Sequence, residues 1–171
     1  MNTLVNNIEE AKIKVLSIFD DVYPETMKEY DGAPSMLYYK GDIERLKGKK
    51  VAIVGSRLAT TYGLQIAYKF AYELASNGVT IVSGMAKGID SAAHLGALAA
   101  GGTTIAVLGT GIDICYPKEN LGLMKKIEEH GIVFSEYESP NYSAEGTEEF
   151  QGCLHDEKYL AAFEYSALDM V

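Results

Sequence analysis

The strongest constraint on the fold is a regular alternation of short apolar runs and longer helical patterns in the middle of the sequence. The apolar runs cover residues 51–54, 79–82, 104–108 and 132–134. The segments between them carry apolar side chains at helical spacing, and they cover residues 61–76, 89–100 and 119–130. A continuous apolar run is typical of a strand that is buried on both faces. The alternation therefore predicts an α/β fold in which a mainly parallel sheet has helices on both faces.

Two of the predicted helices have a clear apolar face. In the helix over residues 61–76 this face consists of Leu64, Ala67, Tyr68, Ala71 and Leu74. In the helix over residues 119–130 it consists of Leu123, Met124 and Ile127. Side chains that recur every three or four residues lie on one side of a helix, so we expect both sets to pack inward.

The pattern on either side of this region is weaker. Apolar residues near helical spacing predict a helix over residues 3–18, and Pro24 can start a short helix that ends at about Tyr30. Residues 36–39 read as a strand, and residues 159–168 could form one short helix. We divide the chain into an N-terminal helix and lead-in segment (1–45), a core (46–137) and an acidic tail (138–171).

Composition favours a globular protein of a reducing compartment. The 171 residues are 47% hydrophobic and 23% charged, which is ordinary for a globular domain. The two cysteines, Cys115 and Cys153, lack the spacing of zinc ligands. No apolar run approaches the roughly 20 residues of a membrane span, and the first residues do not resemble a signal peptide. We therefore expect a cytoplasmic protein with no structural metal and no membrane partner.

The formal net charge of −9 argues at first against a nucleic-acid partner, because phosphate binders usually carry a basic surface. The charge is unevenly distributed, however. Residues 1–135 hold 14 Lys and Arg against 15 Asp and Glu, whereas residues 136–171 hold one Lys against nine acids. The body of the chain is nearly neutral, so a local basic site can exist there.

Three glycine-containing loops are predicted at the carboxyl edge of the parallel sheet, where ligands of such folds bind. The first contains Gly55, Ser56 and Arg57, and the second contains Gly84, Met85, Ala86, Lys87 and Gly88. The third runs from Gly109 through Thr110, Gly111, Ile112 and Asp113 to Tyr116, Lys118 and Asn120. Glycine lets a ligand approach the backbone, and the helix that follows each loop offers free N–H groups to an anion. Glycines at such turns are also needed for backbone geometry alone. Three such loops at one edge nevertheless favour a phosphate-binding site.

Other candidate residues favour structural roles over catalysis. Asp90 and His94 are four residues apart and could form an acid–base or metal pair, but two ligands do not make a site, and a structural pair is favoured. Ser83 has no evident base partner, Glu136 could equally be a capping residue, and Cys115 reads as a small buried side chain. The P-loop, GxSxG and GxGxxG motifs are absent. We assign no catalytic residue, metal or cofactor.

Taken in order, these segments resemble the DNA-processing protein A (DprA/Smf) family over roughly residues 20–137. The resemblance is carried by Gly55-Ser56-Arg57, Tyr62-Gly63, the run from Ser83 to Asp90, Ala93-His94, Gly101-Gly102, Tyr116-Pro117 with Asn120, and Ser135-Glu136-Tyr137. It implies a Rossmann-like three-layer fold and a non-enzymatic protein that binds single-stranded DNA. It also implies a role in natural transformation and in loading the recombinase RecA.

The resemblance further implies which residues contact DNA. The family's DNA pocket uses the arginine of the Gly-Ser-Arg motif and a basic residue after Tyr-Pro, which are Arg57 and Lys118 in this sequence. Tyr116 could stack a base, since single-strand binding combines cations with aromatic faces. These expectations agree with the three loops.

The sequence departs from the family after Tyr137. The family continues into a basic Phe-Pro-x-Arg-Asn-Arg-Ile segment, whereas residues 143–151 contain no arginine. We therefore expect either a C-terminally shortened member or a product whose reading frame diverged near residue 140. In both cases we expect weakened DNA binding, the missing segment counts against RecA loading, and a homodimer stays open.

Two alternatives remain. One is a nucleotide-binding or nucleoside-monophosphate hydrolase-like enzyme on a related scaffold, although its Pro-Gly-Gly-x-Gly-Thr loop is missing. The other is a remnant without ligand, whose acidic tail covers the site.

Overall fold

The structure is a computed structural model that describes residues 12–29 and 31–138. In this part of the chain six strands form one sheet in the order β1-β2-β6-β5-β4-β3. The strands are β1 (Lys14–Ser17), β2 (Met36–Gly41), β3 (Lys50–Ala52), β4 (Thr80–Ser83), β5 (Thr104–Leu108) and β6 (Ile132–Ser135). The helices are α1 (Glu25–Lys28), α2 (Thr61–Ser76), α3 (Ile89–Ala99) and α4 (Leu121–His130), with single 3-10 turns at Ile43–Leu46 and Lys118–Asn120.

The sheet is mainly parallel, as the sequence predicts. Strands β3, β4, β5 and β6 pair in parallel, so their carboxyl ends meet at one edge. Strands β1 and β2 are antiparallel to their neighbours, and β2 lies between β1 and β6. The α/β fold class is therefore confirmed, and the N-terminal strands extend the same sheet.

The three longer helices lie in one layer. α2 packs on α3, and α3 packs on α4. Two apolar clusters join these helices to the sheet, and their sheet residues include Ile81, Ala106 and Val133. The opposite face of the sheet has a third cluster, in which Val82 and Ile105 are fully buried. That face is covered by the lead-in segment through Leu16, Tyr23, Met27 and Leu46. The third layer thus consists of α1, the first 3-10 turn and the chain around them.

The predicted helix over residues 3–18 is wrong where the structure describes it. Residues Lys14–Ser17 form strand β1, which pairs with β2 in the register Leu16 to Leu37. Leu16 is buried, whereas Val15 is exposed, so adjacent side chains lie on opposite faces as in any strand. Pairing with β2 outweighs the helical spacing of the apolar residues. Residues 1–11 and the predicted helix over residues 159–168 lie outside the described residues, as do most of the acidic tail, Cys153 and His155.

Strand β3 also differs from the prediction. It spans three residues instead of residues 51–54, and Val54 is exposed. β3 is the last strand of the sheet, so only one of its sides is hydrogen-bonded to a neighbour. Its side chains are half-buried, and the expectation of burial on both faces is wrong for this strand.

Helices α2 and α3 approach each other closely because both contact faces are made of small residues. Ala67, Ala71 and Ala75 are the buried residues of α2, and Gly96 of α3 lies against the backbone carbonyl of Tyr68. The Tyr68 side chain was expected to point inward but is exposed. At this short interhelical distance there is room for alanine and glycine between the helices, and the larger ring turns outward.

His94 is fully buried in α3. Its Nδ1 atom lies 2.7 Å from the hydroxyl oxygen of Thr104, and that hydroxyl donates to the carbonyl of Ile81 at 2.8 Å. Desolvation by burial lowers the pKa of His94 to about 3. This histidine therefore ties α3 to β4 and β5 in its neutral form.

No helix in the described part of the chain is long and apolar enough to span a membrane.

The contact between α2 and α3 predicts opposite effects for two glycine-to-alanine changes. Gly96→Ala would place a Cβ against the Tyr68 carbonyl, which cannot move without moving α2, and overpacking of this kind costs about 1–3 kcal/mol. Gly122→Ala in α4 meets nothing within 4 Å and should stabilise by about 1 kcal/mol through helix propensity. Urea unfolding midpoints measure both changes. Equal effects of the two changes would contradict this account of the interface.

The buried His94 predicts acid sensitivity of the fold. The unfolded chain takes up a proton near the ordinary pKa of 6.5, whereas folded His94 does so only at about 3. Stability should therefore fall as the pH drops from about 6.5 towards about 3, by up to about 1.4 kcal/mol per pH unit. His94→Gln should lose less stability between about pH 7 and about pH 4.5 than the parent, in urea titrations. His130→Gln, at the exposed end of α4, is the control and should lose as much as the parent.

Candidate functional site

The carboxyl edge of the parallel strands brings the three predicted loops together, and a buried carboxylate connects two of them. Asp90 lies in the first turn of α3, where one of its oxygens accepts the backbone N–H of Gly55 at 3.3 Å. The other oxygen accepts the N–H groups of Gly84 at 3.2 Å and Ala86 at 3.4 Å. The loop after β3 and the loop after β4 are therefore held in one arrangement by a single side chain.

Burial raises the pKa of Asp90, while hydrogen bonds from Gly55, Ala86 and Gly84 oppose that rise by favouring the charged form. The N-terminus of α3 also favours an anion at this place. The sequence predicts that the amides of these loops bind a phosphate. In the structure the carboxylate of Asp90 lies at that position instead. The amides of Gly55, Gly84 and Ala86 already have an acceptor within the chain.

Glycine is required where the first two loops cross. Gly88 adopts φ +84°, and a Cβ there would meet the carbonyl oxygen of Ser56. The same carbonyl accepts the N–H of Ile89 at 3.3 Å, and the Ile89 side chain lies where a Cβ on Gly55 would project. Gly55 and Gly88 therefore permit the close packing of the two loops. This is the second of the two roles that the sequence analysis gave to these glycines, namely backbone geometry.

The third loop is attached to the second by Asn120. Its side-chain amide donates to the carbonyl of Met85 at 2.7 Å and to the hydroxyl of Ser91 at 2.9 Å. Ser91 in turn donates to the carbonyl of Ala86 at 2.6 Å. Met85 is fully buried and has φ +64°, a left-handed conformation that is uncommon for a residue other than glycine. Asn120 thus stabilises the unusual backbone of the second loop.

The cations of the three loops differ in their partners. Lys87 pairs with Glu119 at 3.0 Å, and both side chains are well exposed. Within the part of the chain that the structure describes, the guanidinium of Arg57 and the ammonium of Lys118 have no hydrogen bond or ion pair, and both groups can accept an external anion. Tyr116 is 51% exposed and precedes the buried Pro117 through a cis peptide bond.

The other candidate residues have structural contacts within the chain. Asp90 and His94 have different partners, so they act as separate structural groups. The Ser83 hydroxyl donates to the carbonyl of Ile53, the residue that follows β3, at 2.7 Å. The Cys115 thiol donates to the carbonyl of Pro117 at 3.3 Å and is half-buried. Among the described residues, no group of three His, Cys, Asp or Glu side chains could hold a metal ion.

Ser135 enters the sequence analysis only as part of the resemblance and without a role, whereas in the structure it organises the end of the third loop. Its hydroxyl donates to the carbonyl of Thr110 and accepts the N–H of Tyr137 at 3.0 Å. The carbonyl of Tyr137 accepts the N–H of Ile112 at 3.1 Å. Apart from the resemblance, the signal for this role is a small polar residue at the end of the buried run that forms β6. Glu136, next to it, is half-buried and does have an interaction partner.

Comparison with known proteins shows one family. Residues 14–150 match the family described as DNA recombination-mediator protein A. The chain is 48% identical over 129 residues to DNA processing protein DprA of Streptococcus pneumoniae, covering 75% of this chain and 45% of that protein. It is 39% identical over 129 residues to DprA of Bacillus subtilis and 34% identical over 131 residues to protein Smf of Escherichia coli. These cover 75% and 76% of this chain, and 43% and 35% of the relatives.

Two solved structures are similar to the fold. DNA processing protein A of S. pneumoniae aligns with a TM-score of 0.79 at 40% identity, over 95% of this chain and 56% of that one. DNA processing protein A of Helicobacter pylori, described by its unique single-stranded DNA binding mode, aligns with a TM-score of 0.74 at 31% identity. That alignment covers 89% of this chain and 66% of the other. The relatives favour a DNA-processing protein over a nucleoside-monophosphate hydrolase.

The carboxylate of Asp90 predicts a specific response to substitution. Asp90→Ala removes the acceptor of three backbone N–H groups, of which that of exposed Gly55 can turn to water, and loss of a buried charge offsets part of the cost, so we expect a loss of about 1–3 kcal/mol. Hydrogen exchange at the amides of Gly55, Gly84 and Ala86 should accelerate more than exchange in β5. Asp113→Asn, on the exposed surface of the third loop, is the control. Unchanged exchange at these amides would show that Asp90 does not hold the loops.

Proposed function

Because the chain belongs to the DNA recombination-mediator protein A family, we propose that the carboxyl edge of its sheet binds single-stranded DNA. The observation that carries the proposal is that Arg57 and Lys118, on two loops that the second loop joins, have no hydrogen bond or ion pair with any residue that the structure describes. The similar H. pylori protein, which is described by its binding of single-stranded DNA, supports it.

Arg57 is the stronger of the two proposed phosphate contacts. A guanidinium offers a planar fork of donors that matches two phosphate oxygens, whereas an ammonium such as that of Lys118 acts as a point charge. Asp90 fixes the loop that carries Arg57 through the Gly55 amide. The backbone that carries the donor is thereby ordered before the strand arrives, which reduces the entropy cost of binding.

Lys87 and the loop backbones have a smaller part in this proposal. The Glu119 carboxylate pairs with Lys87. A hydrogen bond from its own backbone N–H, and then the hydrogen bond from Lys87, lower the pKa of Glu119. The backbone amides of Gly55, Gly84 and Ala86 are engaged by Asp90. We therefore assign Gly84, Met85, Ala86 and Gly88 to the shape of the site, Arg57 and Lys118 to phosphate binding, and exposed Tyr116 to base stacking, with Asn120 as support.

The proposed role is binding without catalysis. It is proposed for this chain and not for the whole length of its relatives. The chain covers less than half the length of the S. pneumoniae, B. subtilis and E. coli relatives. RecA loading, a homodimer and a part in natural transformation concern the whole protein. For this chain we propose the strand-binding step of such a process.

Removal of either cation should weaken binding in a salt-dependent way. Arg57→Ala and Lys118→Ala should each lower the affinity for a labelled oligothymidine about tenfold, since a charge-assisted hydrogen bond is lost. The slope of log K against log salt should decrease by about 0.7 for each phosphate contact removed. Fluorescence anisotropy over a salt series measures both quantities. Lys49→Ala, an exposed cation just before β3 at the opposite edge, should leave both unchanged.

Absence of binding by the parent at low salt would refute the proposal. So would equal affinities of the parent, Arg57→Ala and Lys118→Ala. A comparable loss in Lys49→Ala would show unspecific attraction by surface charge.

A further inference from the structure

An ion pair connects the second and third loops at the proposed DNA site. The ammonium of Lys87 lies 3.0 Å from a carboxylate oxygen of Glu119. The two side chains are 58% and 69% exposed. Exposed pairs of this kind contribute little to the stability of a fold. The pair therefore matters mainly for the charge that these loops present to a ligand.

The two loops are held together without this pair. Asn120, next to Glu119, donates to the carbonyl of Met85 at 2.7 Å and to the hydroxyl of Ser91 at 2.9 Å. These hydrogen bonds are partly buried, whereas the ion pair is exposed to water. Removal of the Glu119 charge should therefore leave the arrangement of the loops intact.

The segment around Lys87 contacts both of the loops to which we assign a phosphate contact. Gly88, the next residue, packs so closely on the first loop that a Cβ there would lie 3.0 Å from the carbonyl oxygen of Arg57. On the other side, the pair with Glu119 joins Lys87 to the 3-10 turn that contains Lys118. Lys87 thus belongs to the same group of cations as Arg57 and Lys118.

The carboxylate of Glu119 makes Lys87 a poor phosphate contact. A hydrogen bond from its own backbone N–H, and then the hydrogen bond and the charge of Lys87, lower the pKa of Glu119, so the carboxylate is charged at neutral pH. A phosphate that displaces this carboxylate from Lys87 comes to lie next to a second anion. A phosphate that does not displace it finds the ammonium already neutralised. In both cases Lys87 adds little to the free energy of binding.

We propose that Glu119 is an internal counter-ion that withholds Lys87 from the DNA and so limits the affinity of this edge for a single strand. The inference rests on the proposed function, since Arg57 and Lys118 hold the strand whose affinity Glu119 limits. The group that competes with Glu119 is the phosphodiester, which is the same at every nucleotide. The limit should therefore apply to any base sequence.

The test removes the charge of Glu119 and keeps the size of its side chain. Glu119→Gln should raise the affinity for a labelled oligothymidine about fivefold, because Lys87 becomes available for a charge-assisted hydrogen bond. The slope of log K against log salt should become steeper by about 0.7, the contribution of one additional phosphate contact. Glu119→Ala, which leaves Lys87 no side-chain acceptor at this position, should act in the same direction. Fluorescence anisotropy over a salt series measures both quantities.

A double-mutant cycle separates the release of Lys87 from the general effect of removing a negative charge. Lys87→Ala should cost the parent at most about twofold in affinity, but it should cost Glu119→Gln about fivefold. In a protein that already carries Lys87→Ala, the change Glu119→Gln should alter the affinity by less than about twofold. Lysine acetylation, read by peptide mass spectrometry, reports the contact itself. The oligothymidine should protect Lys87 from acetylation more strongly in Glu119→Gln than in the parent.

Glu44→Gln is the matched control. Glu44 forms a similarly exposed ion pair with Lys47 in the first 3-10 turn. Asp42, which caps that turn, donates its N–H to the carbonyl of Gly131, just before β6, so the turn lies at the opposite edge of the sheet. Glu44→Gln removes the same charge and frees a lysine away from the site, so the affinity should stay that of the parent. Urea midpoints confirm that each variant is folded.

Four results would overturn the inference. These are unchanged affinity and salt slope in Glu119→Gln, an equal gain from Glu119→Gln with and without Lys87, an equal gain in Glu44→Gln, or a loss in Lys87→Ala as large as that in Arg57→Ala. If Arg57→Ala and Lys118→Ala weaken binding but Glu119→Gln does not strengthen it, only this inference fails. If the parent binds no oligonucleotide at low salt, the proposed function fails, and this inference fails with it.

Discussion

The arrangement of the candidate site depends on one buried carboxylate. Asp90 accepts hydrogen bonds from the backbones of two different loops, and its charge lies at the positive end of α3. A carboxylate without these partners would be expensive to bury at this position. The burial and the hydrogen bonds act in opposite directions on its pKa, and the net direction is upward. Burying this carboxylate therefore has an electrostatic cost, and its hydrogen bonds fix the geometry of the two loops.

This carboxylate changes the meaning of the glycine-rich loops. From sequence, glycines next to helix N-termini indicate amides that are free to bind a phosphate. In the structure those amides bind Asp90, and the glycines permit the close contact between Ser56 and Gly88. Positive charge at the edge is left to the side chains of Arg57 and Lys118. The nearly neutral body of the chain is thus compatible with an anion site made of two cations.

Much of the fold could be predicted because its signals are local. The bounds of α2 and β5 agree with the sequence patterns, and the inward residues Leu123, Met124 and Ile127 are all buried. Strand β1 could not be predicted, since its partner β2 is about 20 residues away and the pairing overrides local spacing. Tyr68 could not be placed either. Its orientation is decided by Gly96 on the neighbouring helix, which no pattern within α2 reveals.

The meeting of the three loops at one edge could be predicted for a topological reason, whereas the hydrogen bonds between them could not. Parallel strands bring their following loops to one edge, so Arg57 and Lys118 could be assigned to a common region. The bonds from Asn120 to Met85 and from Ser135 to Thr110 join segments that are far apart in the chain. Such contacts depend on the assembled fold. Sequence spacing carries no trace of them.

The strand order has a consequence for how the molecule meets other chains. In the part of the chain that the structure describes, the sheet ends at β1 with four residues and at β3 with three. Short edge strands offer few free backbone groups to a strand from another chain. Edge-to-edge growth of the sheet, the usual route to β-aggregation, is therefore poorly templated. Among the described residues, side chains at loops and helix surfaces offer another macromolecule more groups to contact than these two edges do.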